Sequence, residues 1–503
     1  MKMKFWNAST GMFLVVSCLL AGCSGGSQPA KEGAADAKSK EPVKISMSLE
    51  GAGLPSPQED WIKKELDKRL NTDISVTTIQ GMNDYMNQMK IRSAAGNMPD
   101  LMMVDLATLN DFAQKGLLLD LTPHMDTDLK QAKDFMGVNL LKKGMVNGKN
   151  YAITRIADVP FSSYWIRQDW LTALNLKKPT TLEELYAVGK AFTEQDPDGN
   201  GKKDTYGFTG VEFNTFAPIL GSYGLGLPGS SYVKDNKLFN AYYDPNMPAA
   251  LEYLKKLVTE NLVEPQFMTN KGTMARDQAI QGKAGIVFAG WTEIGKQEFI
   301  DQYKTVNPKA DWVQMESPKG PSGQFDSAYD MEKPSRLLVI PKSVDKNPEK
   351  LKKIFELLNY VSGKEGNRLV MYGIEGRHYT VNGDKIELTE AMAKEGNYFH
   401  LYQMTGRPNE EYLKVKFPKE EAYMKFALKL PRLNNIDSSI IPPAGYNATD
   451  ADRYGKEEIV KFIYNKRPLS EYPAFLKTME DTFKYKLLMD EAQKRAKELE
   501  FIK

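Results

Sequence analysis

At roughly 100–200 residues per domain, a chain of 503 residues suits two to four domains or one large bilobed unit. Its 67 lysines and arginines nearly balance 65 aspartates and glutamates, for a formal net charge of +2. This argues against nucleic acid as the main partner, because phosphate binding needs a large cationic surplus. The 2 cysteines and 3 histidines exclude zinc clusters, iron–sulfur sites and disulfide scaffolds. With 41% hydrophobic and 10% aromatic residues, the chain is predicted to be globular.

The first residues have the pattern of a secretory signal. Lys2 and Lys4 precede an apolar run that is too short to span a bilayer core of about 30 Å, and small residues lead up to Cys23. Residues 24–42 are Gly, Ser, Ala, Lys and Glu with almost no large apolar residue, which predicts a flexible tether. No later apolar run reaches the roughly 18 residues of a membrane span, so no transmembrane helix is predicted.

The end of this segment, Leu-Ala-Gly-Cys at residues 20–23, resembles the lipobox of bacterial lipoproteins. The resemblance implies that residues 1–22 are a signal peptide that is removed, and that Cys23 carries a lipid anchor. An ordinary signal peptide with an incidental cysteine is the alternative. With the anchor, the protein would be held at the membrane without spanning it.

From residue 43 onward, short β-like runs alternate with amphipathic helical patterns. Residues 43–49 alternate apolar and polar side chains as a strand does, and residues 74–78 are rich in β-branched side chains. A helix is predicted between them, and another over residues 85–95 before the apolar strand at 101–104. Strands that alternate with helices predict an α/β fold with an open, mainly parallel sheet.

The later part of the chain continues this pattern. Thr181 and Glu184 fit a capping box at the start of a helix. Another helix has its apolar residues on one face from 351 to 361, and residues 475–503 are charged and helical in pattern. Residues 224–229 match GxGxxG, but a loop and hairpin arm are predicted after them, which argues against a dinucleotide site.

Residues 196–204, Asp-Pro-Asp-Gly-Asn-Gly-Lys-Lys-Asp, have the spacing of a calcium loop. Oxygen side chains stand at positions 1, 3, 5 and 9, and Gly201 allows the sharp turn at position 6. The predicted ligands are Asp196, Asp198, Asn200, Lys202 through its backbone carbonyl, and Asp204. The loop departs from a full EF-hand because position 12 is Gly207 and not Glu. We expect a structural Ca²⁺; a polar turn after a helix is the alternative.

Several segments occur in an order that resembles a known family. They are GNMPD at 96–100, QKGLLLDL at 114–121, NGKNYAI at 147–153, YWIRQDWL at 164–171, QGKAGI at 281–286 and YGIEGRHY at 372–379. Together they resemble the extracellular solute-binding proteins of family 1, which are the substrate-binding lipoproteins of bacterial ABC importers. The oligosaccharide- and alginate-binding members are the most similar, and the alginate binders use a similar shortened loop for calcium.

The resemblance implies a periplasmic-binding-protein-like α/β fold, in which two α/β lobes are joined by a hinge of crossing strands. The first lobe should take residues 43–154 and about 334–400, and the second residues 155–333 and about 401–503. Crossing strands are expected near 155–164 and 328–338, with a third further on. The implied protein is a non-enzymatic monomer on the outer face of the cell membrane, which captures an oligosaccharide and delivers it to an ABC permease.

Candidates for the sugar site come from aromatic residues and from the ends of strands. Sugars stack on aromatic rings and hydrogen-bond to planar polar side chains. The resemblance places a stacking tryptophan at Trp291, whereas Asp105 follows a buried strand at the edge where open α/β sheets bind ligands. The alternatives are a core position for Trp291 and a helix N-cap for Asp105. Trp165 and Trp170 are predicted to be core residues.

Weaker candidates are Glu50, Tyr223 and Glu293. Three further cationic side chains could pair with the carboxylate of a uronate, because guanidinium groups bind carboxylates bidentately. They are Arg155, Arg377 and His378, and surface salt bridging is the alternative for each.

Two other functions remain open from the residues alone. A secreted glycoside hydrolase would use two carboxylates about 5–10 Å apart, and a surface lipoprotein could have no transport role. His124, His378 and His400 are too dispersed for an HExxH site, and the chain has no GxSxG or P-loop motif. The order of motifs favours a binding protein, and leaves neutral pectic, xylan-like and uronate oligomers open as ligands.

Overall fold

The computed structural model describes residues 41–503, and Pro42–Lys503 is one compact unit. The predicted signal peptide, Cys23 and nearly all of the predicted tether lie outside the described residues. Within residues 41–503, no helix is long and apolar enough to cross a membrane.

Strands occur throughout this part of the chain. They are β1 (Val43–Glu50), β2 (Thr72–Ile79), β3 (Leu101–Val104), β4 (Met145–Val146), β5 (Lys149–Asn150), β6 (Ile153–Arg155), β7 (Ser162–Arg167), β8 (Tyr206–Thr209), β9 (Ser231–Lys234), β10 (Lys237–Asn240), β11 (Ala284–Gly290), β12 (Trp312–Met315), β13 (Ala328–Tyr329), β14 (Arg336–Val339), β15 (Tyr379–Asn382), β16 (Lys385–Leu388) and β17 (Leu433–Asn435). The predicted strands at 43–49, 74–78 and 101–104 are confirmed as β1, β2 and β3.

The helices alternate with these strands. They are α1 (Trp61–Leu70), α2 (Met82–Ala94), α3 (Leu106–Gln114), α4 (Lys130–Met136), α5 (Val138–Lys142), α6 (Gln168–Ala173), α7 (Leu182–Glu194), α8 (Ala217–Ser222), α9 (Met247–Thr259), α10 (Met274–Ile280), α11 (Trp291–Ile294), α12 (Gln297–Val306), α13 (Pro348–Ser362), α14 (Lys364–Tyr372), α15 (Glu390–Glu395), α16 (Asn409–Lys416), α17 (Glu421–Lys429), α18 (Ala448–Ile463), α19 (Tyr472–Asp481) and α20 (Tyr485–Glu498). Short 3₁₀ turns span Thr122–His124, Glu212–Phe216, Lys342–Lys346, Gly396–Tyr402, Pro418–Glu420, Asp437–Ser439 and Leu469–Glu471.

The first sheet has the strand order β2-β1-β3-β14-β6. β1 is parallel to β2 and β3, whereas β14 is antiparallel to both β3 and β6. The carboxyl ends of β1, β3 and β6 therefore meet the beginning of β14 along one side, which we call the first edge. All four residues of β3 are buried, as expected of a strand that is covered on both faces.

The second sheet has the order β12-β7-β11-β8. β8 is parallel to β11, and β7 is antiparallel to β11 with Ser162 opposite Gly290. The carboxyl ends of β8 and β11 thus lie on the same side as the beginning of β7, and we call this side the second edge. A third sheet, β10-β9-β17-β13, contains the hairpin that follows residues 224–229, so the prediction that no helix follows the GxGxxG match is confirmed.

Three chain segments connect the first sheet, and the helices packed on it, with the rest of the described chain. They join β6 to β7, β13 to β14, and the turn ending at Tyr402 to α16. Backbone bonds hold them side by side: the N–H of Ile156 donates to the carbonyl of Thr405 at 3.1 Å, and the N–H of Ser335 donates to that of Arg155 at 3.2 Å. We call residues 156–161, 330–335 and 403–408 the crossing segments.

Each of these two sheets has its own hydrophobic core. The first core draws on residues 45–153 and 337–404, and the second on residues 164–315 and 433–485. The chain therefore has the two-lobe α/β fold. A third cluster, which includes Trp165, Trp291 and Tyr372, combines residues between positions 165 and 312 with residues between positions 371 and 427. Met371, Tyr372 and Tyr379 thus pack with second-lobe residues, although residues 334–400 were predicted to belong to the first lobe.

Two further expectations from the sequence concern the ends of helices. The Thr181 hydroxyl accepts the N–H of Glu184 at 3.2 Å, as in the predicted capping box, and the Glu184 carboxylate accepts the N–H of Thr180 at 2.8 Å. The C-terminal residues that were predicted to be helical form two helices, α19 and α20, which are separated at Lys484, where the backbone is left-handed with a φ of +55°.

Candidate functional site

The first and second edges face each other across the crossing segments. β6 ends at Arg155 and β7 begins at Ser162, so the edges are at most about 25 Å apart at this point, given the reach of an extended chain. Ligands of open α/β sheets bind beyond the carboxyl ends of the strands. The space between the two edges, which we call the cleft, is therefore the candidate site.

A pocket of about 480 Å³ lies on the second-lobe side of the cleft. Its lining includes Glu212, Asn214, Ala328, Asp437, Tyr446 and Tyr485. Glu212 and Asn214 follow β8 at the second edge, and Ala328 belongs to β13 beside a crossing segment. A pocket of this size with aromatic rings, carboxylates and an amide suits a ligand that has both apolar faces and hydroxyl groups.

Glu212 is the most unusual residue of this pocket. Its φ is +49°, a left-handed conformation that a side chain like glutamate rarely adopts. The N–H of Glu212 donates to the carbonyl of Phe267 at 2.7 Å, which holds the strained turn in place. Such strain is common where a scaffold positions a side chain for a ligand. The sequence interpretation missed Glu212 and Asn214, although the rule that selected Asp105 also applies to residues that follow β8.

The tyrosines of the pocket supply neutral hydroxyl groups. The Tyr446 ring lies 6.0 Å from that of Tyr485, and burial raises the pKa of Tyr446 to about 12. Tyr485 donates from its hydroxyl to the carbonyl of Gly229 at 3.0 Å. Tyr242 also lines the pocket, and within residues 41–503 its buried hydroxyl has no hydrogen-bond partner. The sequence analysis did not select these three tyrosines, because they are far apart in the chain and hydrophobic periodicity does not identify residues that share a pocket.

Trp291 was expected to line the cleft, but it does not. Its side chain is 0% exposed and lies in the third cluster, with its ring 5.7 Å from Phe161 and 5.3 Å from Phe417. A ring enclosed on both sides cannot stack on a sugar in this structure. The core alternative therefore describes Trp291 correctly, and Trp165 and Trp170 are likewise fully buried, as predicted.

The predicted carboxylates stand at the edges but are engaged in local hydrogen bonds. Asp105 caps α3 by accepting the N–H of Thr108 at 2.7 Å, which is the helix-cap alternative. Glu293 accepts the N–H of Gly290 at 3.0 Å at the start of α11. Glu50 accepts a longer bond of 3.3 Å from the N–H of Gly81. Of the three, Glu50 is held least tightly by its neighbours.

Arg155 lies at the first edge, as its place near a crossing strand suggested, but it is no surface residue. It is 7% exposed, and its guanidinium donates to the carbonyl of Gln403 at 2.8 Å, to Oε1 of Gln403 at 3.1 Å and to the Ser335 hydroxyl at 2.6 Å. Burial, together with the nearby charges of Arg336 and Arg407, lowers the pKa of Arg155 to about 10, so it stays charged at neutral pH.

Tyr223, Arg377 and His378 do not line the pocket. The Tyr223 ring lies 6.5 Å from Tyr253. Arg377 forms a bidentate pair with Glu395, with distances of 2.9 and 2.8 Å. His378 is 0% exposed; its Nδ1 accepts the N–H of Ile374 at 2.9 Å, so its Nε2 donates to Glu395 at 3.0 Å. Arg377 and His378 therefore already have an internal carboxylate partner.

The predicted calcium loop is closed by its own hydrogen bonds. Asp196 accepts the N–H groups of Asn200 at 3.1 Å and Gly201 at 2.9 Å. The Asn200 amide donates to Asp198 at 2.9 Å and to Asp204 at 3.1 Å, so these side chains converge. Within residues 41–503, no group of three or more His, Cys, Asp or Glu side chains is already arranged as a metal site.

Two neighbours limit what this loop could bind. Lys283 pairs with Asp204 at 3.2 Å, and an ammonium in this position competes with a cation. Gly207, at position 12, lies in β8 so close to α7 that a Cβ would come within 2.6 Å of the Gly189 carbonyl oxygen. The strand therefore has no room for the bidentate Glu of a full EF-hand.

Comparison with known proteins agrees with this architecture. The model of the family described as bacterial extracellular solute-binding protein matches residues 50–368. Lipoprotein LipO of Bacillus subtilis is 28% identical over 426 residues, which are 82% of this chain and 80% of LipO. The polygalacturonan/rhamnogalacturonan-binding protein YtcQ of the same organism is 29% identical over 389 residues, 74% of each chain.

A solved structure shows the same fold. The HMO-binding, ABC-transporter-associated solute-binding protein of Bifidobacterium longum infantis superposes with a TM-score of 0.70. The superposition covers 92% of this chain and 99% of that protein, at 17% sequence identity.

Proposed function

This chain belongs to the bacterial extracellular solute-binding proteins, and we propose that it captures an oligosaccharide in the cleft and delivers it to the permease of an ABC importer. The observation that carries this proposal is the pocket of about 480 Å³ at the second edge, beside the crossing segments. Lobes that are joined by such segments can close on a ligand by a hinge motion. The chain acts by binding, without catalysis, and works as a monomer.

The chemistry of the pocket supports a sugar ligand. Tyr446 presents an aromatic ring, while Glu212 and Asn214 present planar polar groups on exposed side chains. The relative YtcQ, which matches 74% of this chain, is described as a binder of polygalacturonan and rhamnogalacturonan. A plant cell-wall oligosaccharide is therefore the first ligand class to test.

Calorimetry against neutral and acidic plant oligosaccharides tests the proposal. We expect at least one oligomer to bind, and Tyr446→Ala to weaken it by about tenfold, equivalent to roughly 1.4 kcal/mol. Tyr186→Ala is the matched control, because Tyr186 is also half-buried but contacts Glu260 and does not line the pocket. Failure of the whole panel to bind, or release of reducing ends from a bound oligomer, would refute a purely binding role.

We also propose that the protein is held outside the cytoplasm by a lipid on Cys23. The similarity to lipoprotein LipO and the lipobox-like residues 20–23 support this location. Metabolic labelling with a clickable fatty acid should mark the wild-type chain and leave Cys23→Ala unlabelled. Label on the Cys23→Ala chain would contradict the assignment.

We propose in addition that the loop at residues 196–204 binds a structural Ca²⁺. Asp196, Asp198 and Asp204 offer hard carboxylate oxygens, which this cation prefers. Burial and the neighbouring Asp196 carboxylate raise the pKa of Asp198, and a bound cation would relieve this crowding of negative charge. In this role Lys202 contributes its carbonyl and Asn200 its amide oxygen.

A further inference from the structure

Two arginines face each other on neighbouring strands at the first edge. Arg336 begins β14 and Arg155 ends β6, and the register of these antiparallel strands places the two residues directly opposite each other. Directly opposed residues point to the same face of a sheet, with Cβ atoms about 4.5–5.5 Å apart, and like charges in this position are destabilising. Residues that serve binding often lower the stability of the folded protein, so a destabilising pair of like charges beside the cleft points to a binding site.

Arg407 brings a third guanidinium to the same place. Its Nη1 donates to Oε1 of Gln403 at 2.7 Å, the same oxygen that accepts from Nη2 of Arg155 at 3.1 Å. Burial lowers the pKa values of Arg336 and Arg407, and the charges of both lower that of Arg155. Three cations therefore share a partly buried site where the crossing segments leave the first lobe.

Arg336 is the member of this trio whose donors are available. Arg155 directs its donors to Gln403 and Ser335, and Arg407 bonds to Gln403 and Asn409 while lying 3.8 Å over the Tyr412 ring. Within the described part of the chain, Arg336 makes one hydrogen bond through its side chain, a long one of 3.5 Å to the carbonyl of His400. Among residues 41–503, no carboxylate lies within the 4.0 Å ion-pair distance of any of the three arginines.

The acidic groups nearest to Arg336 do not occupy its guanidinium. Glu50 and Asp158 are close enough to raise its pKa against the effect of burial, but neither forms an ion pair with it. Glu50 accepts the N–H of Gly81, and Asp158 is exposed on a crossing segment. Both remain able to accept hydrogen bonds from sugar hydroxyls beside a group that is bound to Arg336.

We propose that Arg336 binds the carboxylate of a uronic acid residue, so that the ligand of this cleft is an acidic oligosaccharide. A guanidinium fork matches a carboxylate bidentately, and the added negative charge offsets the repulsion among the three arginines. Arg155 and Arg407, held by Gln403, act as positioning residues that maintain the positive potential. This inference rests on the proposed function and names its substrate class.

Calorimetry tests the proposed contact between Arg336 and a uronate carboxylate. The three matched ligands are trigalacturonate, its methyl ester and neutral galactotriose. For the wild-type protein we expect the acid to bind roughly 10- to 100-fold more tightly than the ester, as for hydrogen bonds to charged groups. Arg336→Gln should abolish this preference. Arg453→Gln should preserve it, because Arg453 lies on the exposed face of α18 and pairs with Asp450 and Glu457 of the same helix.

Thermal unfolding without ligand gives a second, independent result. Removal of one charge from an opposed like-charged pair should leave the melting temperature of Arg336→Gln unchanged or raise it, whereas loss of a scaffold arginine would lower it. Equal affinity for acid and ester, an unchanged preference in Arg336→Gln, or a lower melting temperature would each overturn the assignment. Failure of the proposed function looks different, since no sugar of any charge would then bind.

Discussion

Arg432 and Asp326 form a buried ion pair near the second-lobe ends of the crossing segments. Nη2 of Arg432 lies 3.2 Å from the Asp326 carboxylate, and the side chains are 5% and 0% exposed. Arg432 also donates to the carbonyl of Ser162, where β7 begins, and Asp326 lies two residues before β13. The pair thus links two of the chain segments on which a hinge motion would turn.

The pH dependence of the unfolding free energy should report the protonation state of Asp326. Burial raises its pKa from 3.8 to about 7, although Arg432 opposes the shift. The folded protein holds the proton of Asp326 more tightly than the unfolded chain does, so protonated Asp326 stabilises the fold. This contribution is complete below the pKa of the unfolded chain and is lost as the pH rises through the pKa of the folded protein. Relative to Asp326→Asn, wild type should therefore lose about 2–3 kcal/mol between pH 5 and 8. Urea unfolding of both proteins measures this difference, and a difference that grows with pH would contradict the raised pKa.

Trp291 should affect stability more than binding. Trp291→Ala should lower the free energy of unfolding by about 3–5 kcal/mol, because it leaves a cavity in the third cluster. Trp291→Phe should fold, since within residues 41–503 the buried indole Nε1 has no hydrogen-bond partner to lose. Calorimetry of Trp291→Phe should give a ligand affinity close to that of wild type. A folded Trp291→Phe protein with no affinity would instead indicate that the indole contacts the sugar.

His378 should likewise act in folding and not in ligand recognition. Its burial lowers its pKa, so the ring is neutral and cannot attract a uronate by charge. His378→Ala should cost about 2–3 kcal/mol, because it leaves buried polar partners unsatisfied. The preference for trigalacturonate over its methyl ester should persist in this variant. Loss of the preference without loss of stability would restore His378 as a ligand contact.

Two measurements test the proposed calcium site. Excess chelator should lower the melting temperature of wild type, and should have no effect on Asp196→Asn/Asp198→Asn. Lys283→Gln should bind Ca²⁺ more tightly than wild type in calorimetry, because it removes the ammonium that pairs with Asp204. A melting temperature that chelator leaves unchanged in wild type would indicate that the loop is only a polar turn.

Local pattern was sufficient to predict β1, β2 and β3 of the first sheet. Residues 43–49 and 101–104 form strands as expected, because alternation and continuous burial are properties of a short stretch of chain. Asp105 was also expected at the end of β3, with a helix cap as its alternative. Trp291 shows the limit of this approach, because its position after a strand is compatible both with the cleft and with the core.

By itself, therefore, the sequence determined the α/β class and the family, since these depend on composition, short-range periodicity and motif order. Only the tertiary structure decided that Trp291 is enclosed by Phe161 and Phe417. It also decided that Arg336 stands opposite Arg155, although both residues lay within predicted crossing strands. Strand register and side-chain enclosure join residues that are more than a hundred positions apart, and local propensity carries no information about such pairings.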